Sequence, residues 1–392
     1  SHDFIKIKYR NCSVGRHSHA IATRNEKSYF NIFLLIYLRV KFFFLAGAIV
    51  DTAHTISKDV KAAFIDHGIY LNGLYMEVFY KKKISIYSTF HPKGLFYTKY
   101  KKEKIKNFVF EDLVRIKKNK KNFVTKKNKL KVINFLKKKF KNPNTFDFLS
   151  PIKFVNTRKK EYLNYKYIIY LQSFIDAQIP YGYSGFVNTK EWLLHTVKFL
   201  LKRDQKIIIK THPMYYQKKH SDYQIFKKII KPYINNKNIL IIDEPIFNSQ
   251  FLKNLNNTHH IIISSHSDAI FECCFYGFKC ISSIKTIWDK KFKITNSFSN
   301  VKEYENNLSK SFKKLNYCNY NDLIRLCYDA YLNPLGRFGK KNYKLIIKKG
   351  IGLDGTYYAG YENNFQKLIK KNPHKINSTI REVSKVIEEI KI

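Results

Sequence analysis

From Tyr162 onward the sequence alternates short apolar runs with longer stretches in which apolar residues recur at helical spacing. The runs are "YKYIIYLQ" (Tyr165–Gln172), "KIIIK" (206–210), "NILIID" (Asn238–Asp243), "HHIIIS" (259–264) and "KCISS" (279–283). Each is apolar throughout rather than at every second position, which suits strands covered on both faces. Between them lie "NTKEWLLHTVKFLLKRD", which opens on Asn188 and Glu191 at capping-box spacing, then "DYQIFKKIIKPYI", a helix around Phe247–Leu255, and "SDAIFECCFYGF". This alternation predicts an α/β fold with a doubly wound parallel sheet, "KCISS" being its final strand.

At 392 residues the chain exceeds one ordinary core, so two domains are expected. They are residues 1–150 and 151–335, followed by a tail, 336–392, with a helical pattern at its end. "KNPNTFDFLSP" (Lys141–Pro151) has the turn composition of a connection between them. In the first domain a helix ends near Tyr80, before the strand "KISIYS". "FEDLVRI" and "LKVINFLKKKF" have the spacing of amphipathic helices with basic outer faces. "YFNIFLLIYLRVKFFFLAGAIV" (Tyr29–Val50) is long enough to span a bilayer, but Arg39 and Lys41 near its middle oppose that. The favoured reading is a buried helix followed by the strand "KFFFLAGAIV"; an interfacial helix is the alternative.

The formal charge of +44 points towards nucleic acid, an anionic membrane or an anionic substrate. Lys, Asn, Ile, Phe and Tyr are over-used together, as an AT-rich genome would give, and no nucleic-acid module is visible, so nucleic acid is not an expected partner. Six cysteines without a CxxC pair read as reduced, buried thiols of a cytoplasmic protein rather than a disulfide framework or a zinc site.

Two strand ends carry polar signatures. In "IIIKTHP" Pro213 lacks an N–H and holds the preceding residue extended. The strand therefore stops and presents Lys210, Thr211 and His212 at its carboxyl end, where open α/β sheets bind ligands. In "IIISSHSDAIFECCFYGFKCI" the residues Ser264, Ser265, His266 and Ser267 lie between a strand and a helix. They offer hydroxyls and helix N–H groups to an anion such as phosphate. Asp268 and Glu272 share a helical face beside them, where a carboxylate can accept ribose hydroxyls. Simple N-capping by Ser267 or Asp268, and a bond from His212 to a neighbouring carbonyl, are the competing structural readings. A third cluster, "SFIDAQIPYGYSGF", either brings Ser173, Asp176 and Gln178 to the same cleft, with Gly182 and Gly185 shaping a loop, or is only a turn-rich connection. In the first half, Asp66 and His67 before Gly68 put a general base on a turn. His54 and His91 are isolated histidines. Arg16, His17 and Arg24 in "VGRHSHAIATRN" form either an anion-contacting loop or ordinary surface.

On the "FIDAQIPYGYSGFVNTKEWLLHTVKFLLKRDQKIIIKTHP" and "IIISSHSDAIFECCFYGFKCI" stretches the chain resembles the bacterial capsule-polysaccharide biosynthesis proteins, GT-B glycosyltransferases akin to Kdo- and sialyltransferases. The resemblance implies two Rossmann-like domains with parallel sheets facing a cleft, C-terminal helices within 336–392 that pack back across it, and metal-independent chemistry without a cofactor. It also implies a nucleotide-sugar donor, CMP-linked, whose phosphate is held by His212, Pro213, Ser264, Ser265 and Ser267, with Glu272 nearby. Lys210 and Asp176 join this donor set by their strand-end positions. The family's G-x-P turn reads Gly277-Phe278-Lys279 here, and its acidic D/E-D/E-G motif reads Asp66-His67-Gly68. Asp66 is then the acceptor-side base, with His67 second. The expected reaction is transfer of a sugar to a glycan or lipid-linked acceptor, by an enzyme peripheral on the anionic inner face of the cytoplasmic membrane. The alternatives are a CDP-polyol phosphotransferase and a non-catalytic basic protein that binds membrane or nucleic acid.

Overall fold

A computed structural model of the chain describes residues 2–65, 70–89, 97–99, 125–141, 160–176, 184–212, 215, 221–244, 246–267, 269–286, 288 and 291–328. The first unit begins with three helices, α1 (His2–Lys6), α2 (Val14–Ala22) and α3 (Ile32–Ile56). β1 (Ala62–Ile65), α4 (Asn72–Lys81), β2 (Ser85–Thr89) and β3 (Tyr97–Lys99) follow. β1 and β2 run parallel on either side of α4 in the chain, and β3 returns antiparallel along β2. Val14, Ala46, Val50, Leu74, Met76, Val78 and Ile86 are the heart of its core.

The segment Tyr29–Val50 does not divide into a helix and a strand as expected. One 25-residue helix, α3, runs through it, and the Asn31 side chain accepts the Leu34 N–H at 3.0 Å to cap it. The small residues Ala46 and Ala53 and the slender Val50 recur at helical spacing on the inward side, which lets α2 and α4 approach closely. Nor is α3 buried: of its 25 residues only Arg39, Ala46, Val50 and Ala53 are.

The second unit opens with α5 (Lys126–Lys141), and its sheet is then built in chain order. β4 (Tyr167–Tyr170), α6 (Thr189–Leu201), β5 (Ile207–Lys210), α7 (Ser221–Ile230) and β6 (Ile239–Ile242) come first. α8 (Asn248–Lys253), β7 (Ile261–Ile263), α9 (Ala269–Phe275), β8 (Lys279–Ser283), β9 (Asn296–Phe298), α10 (Val301–Ser309) and α11 (Tyr320–Cys327) complete it. All six strands are parallel, in the order β6-β5-β4-β7-β8-β9. One face is covered by Trp192, Leu193 and Val197 of α6, Ile225 and Phe226 of α7, and Tyr304 and Leu308 of α10. The other is covered by Val132 and Leu136 of α5, Phe251 of α8, Ile270 and Phe271 of α9, and Leu323 and Ile324 of α11. Helices on both sides explain why these strands are apolar throughout. The expected α/β class with parallel sheets is the class the chain has. "KCISS" is not the last strand, however. β9 lies beyond it, and its Asn296 side chain donates to the Cys280 carbonyl at 3.1 Å.

Two caps tie sequence to geometry. Asn188 accepts the Glu191 N–H at 2.9 Å as the spacing predicts, while the Glu191 carboxylate accepts the Val187 N–H at 2.5 Å, one residue before the Asn188 N–H that a capping box uses. At the end of α9, Gly277 adopts φ +83°, while the Phe278 N–H donates to the Cys273 carbonyl and the Gly277 N–H to that of Cys274, each at 3.0 Å. That is a Schellman motif, and it closes the helix-to-strand turn without a proline. Lys279, at the position of the family's proline, donates to the Phe312 carbonyl at 2.8 Å and lies over the rings of Phe312 and Tyr317. Gly277→Ala is expected to cost about 1–2 kcal/mol, because a Cβ is strained at this φ and would meet Asn257 Nδ2 at 3.0 Å. The shift in urea midpoint measures it; an unchanged midpoint would contradict the strain argument.

Candidate functional site

In the six-stranded sheet the chain starts at β4, steps outward through β5 to β6, then crosses back to β7 and steps the other way. The reversal leaves a crevice at the carboxyl ends of β4 and β7, where sheets of this kind bind ligands. The Ser264–Ser267 turn lies there. Ser264 is buried, and its hydroxyl donates to the Tyr170 carbonyl at 3.2 Å while accepting the Ser267 N–H at 3.3 Å. Ser264 therefore staples the ends of the two strands. Ser267 accepts the Ala269 N–H at 3.2 Å, which is the capping role. Ser265 bonds to His266 Nδ1 at 2.9 Å, and Ser265, His266 and Ser267 are half-buried at the mouth. α9 has only seven residues, so its dipole adds little, and side chains must supply any positive field.

One such charge is Lys210. It turns inward at the end of β5, buried, with Nζ 5.8 Å from the Tyr170 ring centre and 5.7 Å from that of Phe251. Burial pushes its ammonium down to about 8, opposed by the Glu272 carboxylate. A polar thread joins these groups. The Tyr170 hydroxyl donates to Asn248 Oδ1 at 2.6 Å, and Asn248 Nδ2 donates to Glu272 Oε2 at 2.7 Å. Thus Ser264, Lys210 and Glu272 converge around Tyr170, a residue that no motif marks. Neighbouring Thr211 donates to the Ile242 carbonyl at 3.1 Å. His212 is half-buried at the same strand end, its ring centre 6.1 Å from that of Tyr215. β5 and β7 flank β4, so His212 and the serine turn are separated by two strand spacings, roughly 10 Å.

The loop after β4 is held by Asp222 of α7, another buried group outside every motif. Its carboxylate accepts from the Ser173 hydroxyl at 2.7 Å and from the Phe174 N–H at 2.6 Å. Ser173 in turn accepts the Asp176 N–H at 3.0 Å. Asp176 is exposed and receives a hydrogen bond from the Tyr70 hydroxyl of the first unit, whose ring lies under Arg24. It sits at a contact between the two units. Asp66, His67, His91, Pro213, Asp268, Gln178 and Gly182 lie outside the described residues.

In the first unit "VGRHSHAIATRN" is neither a loop nor plain surface. Val14–Ala22 of it forms α2, whose Arg16 and His17 turn onto Glu77, a fully buried carboxylate on α4, while Arg24 beyond the helix is exposed over the Tyr70 ring. Glu77 accepts from the Ser13 N–H at 2.8 Å, Arg16 at 3.3 Å and His17 Nε2 at 3.2 Å. Burial pushes the Glu77 carboxyl up, but the bonds from His17, Arg16 and Ser13 outweigh it and the net shift is down. Burial also pushes His17 down, opposed by its bond to Glu77, so an Arg16–Glu77 ion pair with His17 hydrogen-bonded to it forms the cluster. The anion that this segment contacts is the chain's own. Arg39 donates to His19 Nδ1 at 3.2 Å, which fixes the proton on Nε2, and Nε2 donates to the Val187 carbonyl of the second unit at 3.3 Å.

These features define an open, doubly wound α/β unit with a polar crevice at its switch point, joined to a smaller α/β unit. No family model matches the sequence, and no curated protein does. Among solved structures the chain is similar to UDP-GlcNAc 2-epimerase from Methanocaldococcus jannaschii in complex with UDP-GlcNAc and UDP, at 16% identity over 72% of this chain and 79% of that one, with a TM-score of 0.32. It is also similar to Thermosulfurimonas dismutans KpsC, a beta Kdo 2,4 transferase, at 11% identity over 68% and 78%, with a TM-score of 0.40. Likenesses this distant carry no residue roles, so the chemistry rests on the side chains described above.

Proposed function

We propose that the chain is a GT-B-like glycosyltransferase of surface-polysaccharide synthesis. Its donor is a nucleotide-activated sugar, CMP-linked, bound in the crevice between β4 and β7. The observation that carries the reading is the serine turn at the switch point, with the buried Lys210 ammonium set behind it. Ser265, His266 and Ser267 offer donors to a phosphate at the mouth, and His212 stands across β4 at a span that a ligand of nucleotide size bridges. In the transfer the bond from the sugar's anomeric carbon to the phosphate oxygen breaks and CMP leaves. The acceptor oxygen bonds to that carbon, and its proton passes to a base, for which Asp66 is the candidate, with His67 second. Lys210, close to half-protonated at about pH 8, stabilises the charge gathering on the departing phosphate. The acceptor is a glycan or lipid-linked glycan.

Thermal unfolding with CMP, CDP, UDP or GDP tests the donor site. A nucleotide at a hundred times its dissociation constant adds about 2.7 kcal/mol, a readily measured rise in Tm. The expected result is stabilisation by a cytidine nucleotide that His212→Ala weakens. Stabilisation by none of the four removes the donor reading. Binding that fades steeply with salt and ignores His212→Ala would instead be charge alone.

A further inference from the structure

We propose that the outward face of α3 docks on an anionic lipid bilayer, the helix lying in the headgroup region rather than crossing it. This stands independently of the donor reading. Helix α3 is roughly 37 Å long, and it is long and apolar enough to cross a membrane by length and composition. Its Arg39, Ala46, Val50 and Ala53 stripe is spent on the first unit's interior. The opposite stripe, Phe33, Tyr37, Val40 and Phe44, recurs at helical spacing and is open, with Phe33 81% and Phe44 72% exposed. An apolar face of that length does not stay wet in a stable soluble state.

Two observations select lipid as the cover and the interfacial pose. The first is charge. Lys41 is exposed beside that stripe, its stem able to lie along apolar surface with the ammonium at headgroup level. Lys82, Arg10 and Lys81 act on His54 at the helix's carboxyl end, where Asp51 pairs with Arg10 at 3.0 Å, and just beyond it Lys58 and Lys61 are exposed with Asp59 between them, which leaves the end net positive. Together with a chain charge of +44, this complements an anionic headgroup layer rather than a neutral or basic partner. The second is anchorage. Arg39 is bound to His19 of α2, and His19 to the Val187 carbonyl of the second unit, so one flank of α3 is fastened to the folded body. A helix fastened along one flank can bury its other flank in an interface without giving up those bonds; crossing would tear them.

Flotation of the purified full chain tests this, using vesicles of equal parts phosphatidylcholine and phosphatidylglycerol. Wild type is expected to float, and to keep floating in high salt, because apolar insertion is not screened. Phe33→Ser/Phe44→Ser is expected to lower the bound fraction at least about tenfold. Tyr37→Ser, at another exposed position, serves as a second variant should the pair unfold, near-UV circular dichroism being the check on folding. Loss of wild-type flotation in high salt, or full flotation of folded variants, overturns the proposal. So does a dimer in sedimentation that the substitutions dissolve while the wild type fails to float, since a second copy then covers the face.

Discussion

Glu77→Ala should destabilise the chain by about 3–5 kcal/mol, the range for breaking a buried ion pair from one side. The carboxylate has no exposure and serves Arg16, His17 and the Ser13 N–H together. Its removal takes away the acceptor shared by a mostly buried guanidinium and a backbone donor. Glu77→Gln keeps the shape and one acceptor but loses the charge, so it should fall between wild type and alanine. The companion variant Arg16→Met/Glu77→Met removes both charges and should recover part of the loss, because an apolar pair of similar volume pays no desolvation. Urea unfolding followed by tyrosine and tryptophan fluorescence measures all three. A loss below about 1 kcal/mol for Glu77→Ala would mean that the cluster is solvated, contrary to its burial.

Acid should weaken the fold well above the usual carboxylate range. His19 is fully buried and its pKa is pushed down to about 3, by burial first and the neighbouring Arg39 second. Its unfolded value is near 6.5, so below that pH the unfolded chain takes up a proton that the folded chain refuses. Stability therefore falls as pH drops from about 6.5 towards 3, and is fully present above that window. Between pH 7 and pH 4 this one residue removes about 3 kcal/mol. His17, also pushed down by burial, acts in the same direction. Glu77 adds a further loss as pH falls through its depressed value, since a carboxylate held ionised stabilises only while ionised. His19→Gln can still accept from Arg39 and donate to Val187, and it should flatten the slope of unfolding free energy against pH between 4 and 6.5. An unchanged slope in that variant would remove His19 from the account.

Much of the second unit was legible because its strands are triplets such as Ile207–Ile209 and Ile261–Ile263, which no partly exposed element would carry. β9 was not legible. Asn-Ser-Phe has neither the length nor the apolar character of a strand, and it is held by side-chain bonds from Asn296. α3 misled for a different reason. "KFFFLAGAIV" has the aromatic and β-branched content of a strand, and its Gly47 looks like a breaker, yet nothing lies within 4 Å of where a Cβ would stand there. The helix wins because its small residues face inward at 46, 50 and 53. Within the site, the motif around Ser264 was readable, but its division of labour was not. Which serine staples strands and which faces outward depends on register across β4 and β7. Glu77 left one faint trace: a lone acid inside "LYMEVF", in a chain with 29 acidic residues against 73 basic ones. Its partners lie some sixty positions away, beyond any local pattern.

The meeting of α5 and α11 bears on how the protein can be cut and made. Asn128 donates to the Tyr328 hydroxyl at 3.1 Å, and Lys129 to Asn321 Oδ1 at 3.2 Å. The segment that precedes the six-stranded sheet and the segment that follows it thus close on each other at one corner. A ribosome must release Tyr328 before that clasp can shut, so the unit stays open along this edge through most of its synthesis. By the same geometry, residues 125–328 have adjoining ends, and a short linker between them would permit new termini to be opened elsewhere in the loop system without moving a strand.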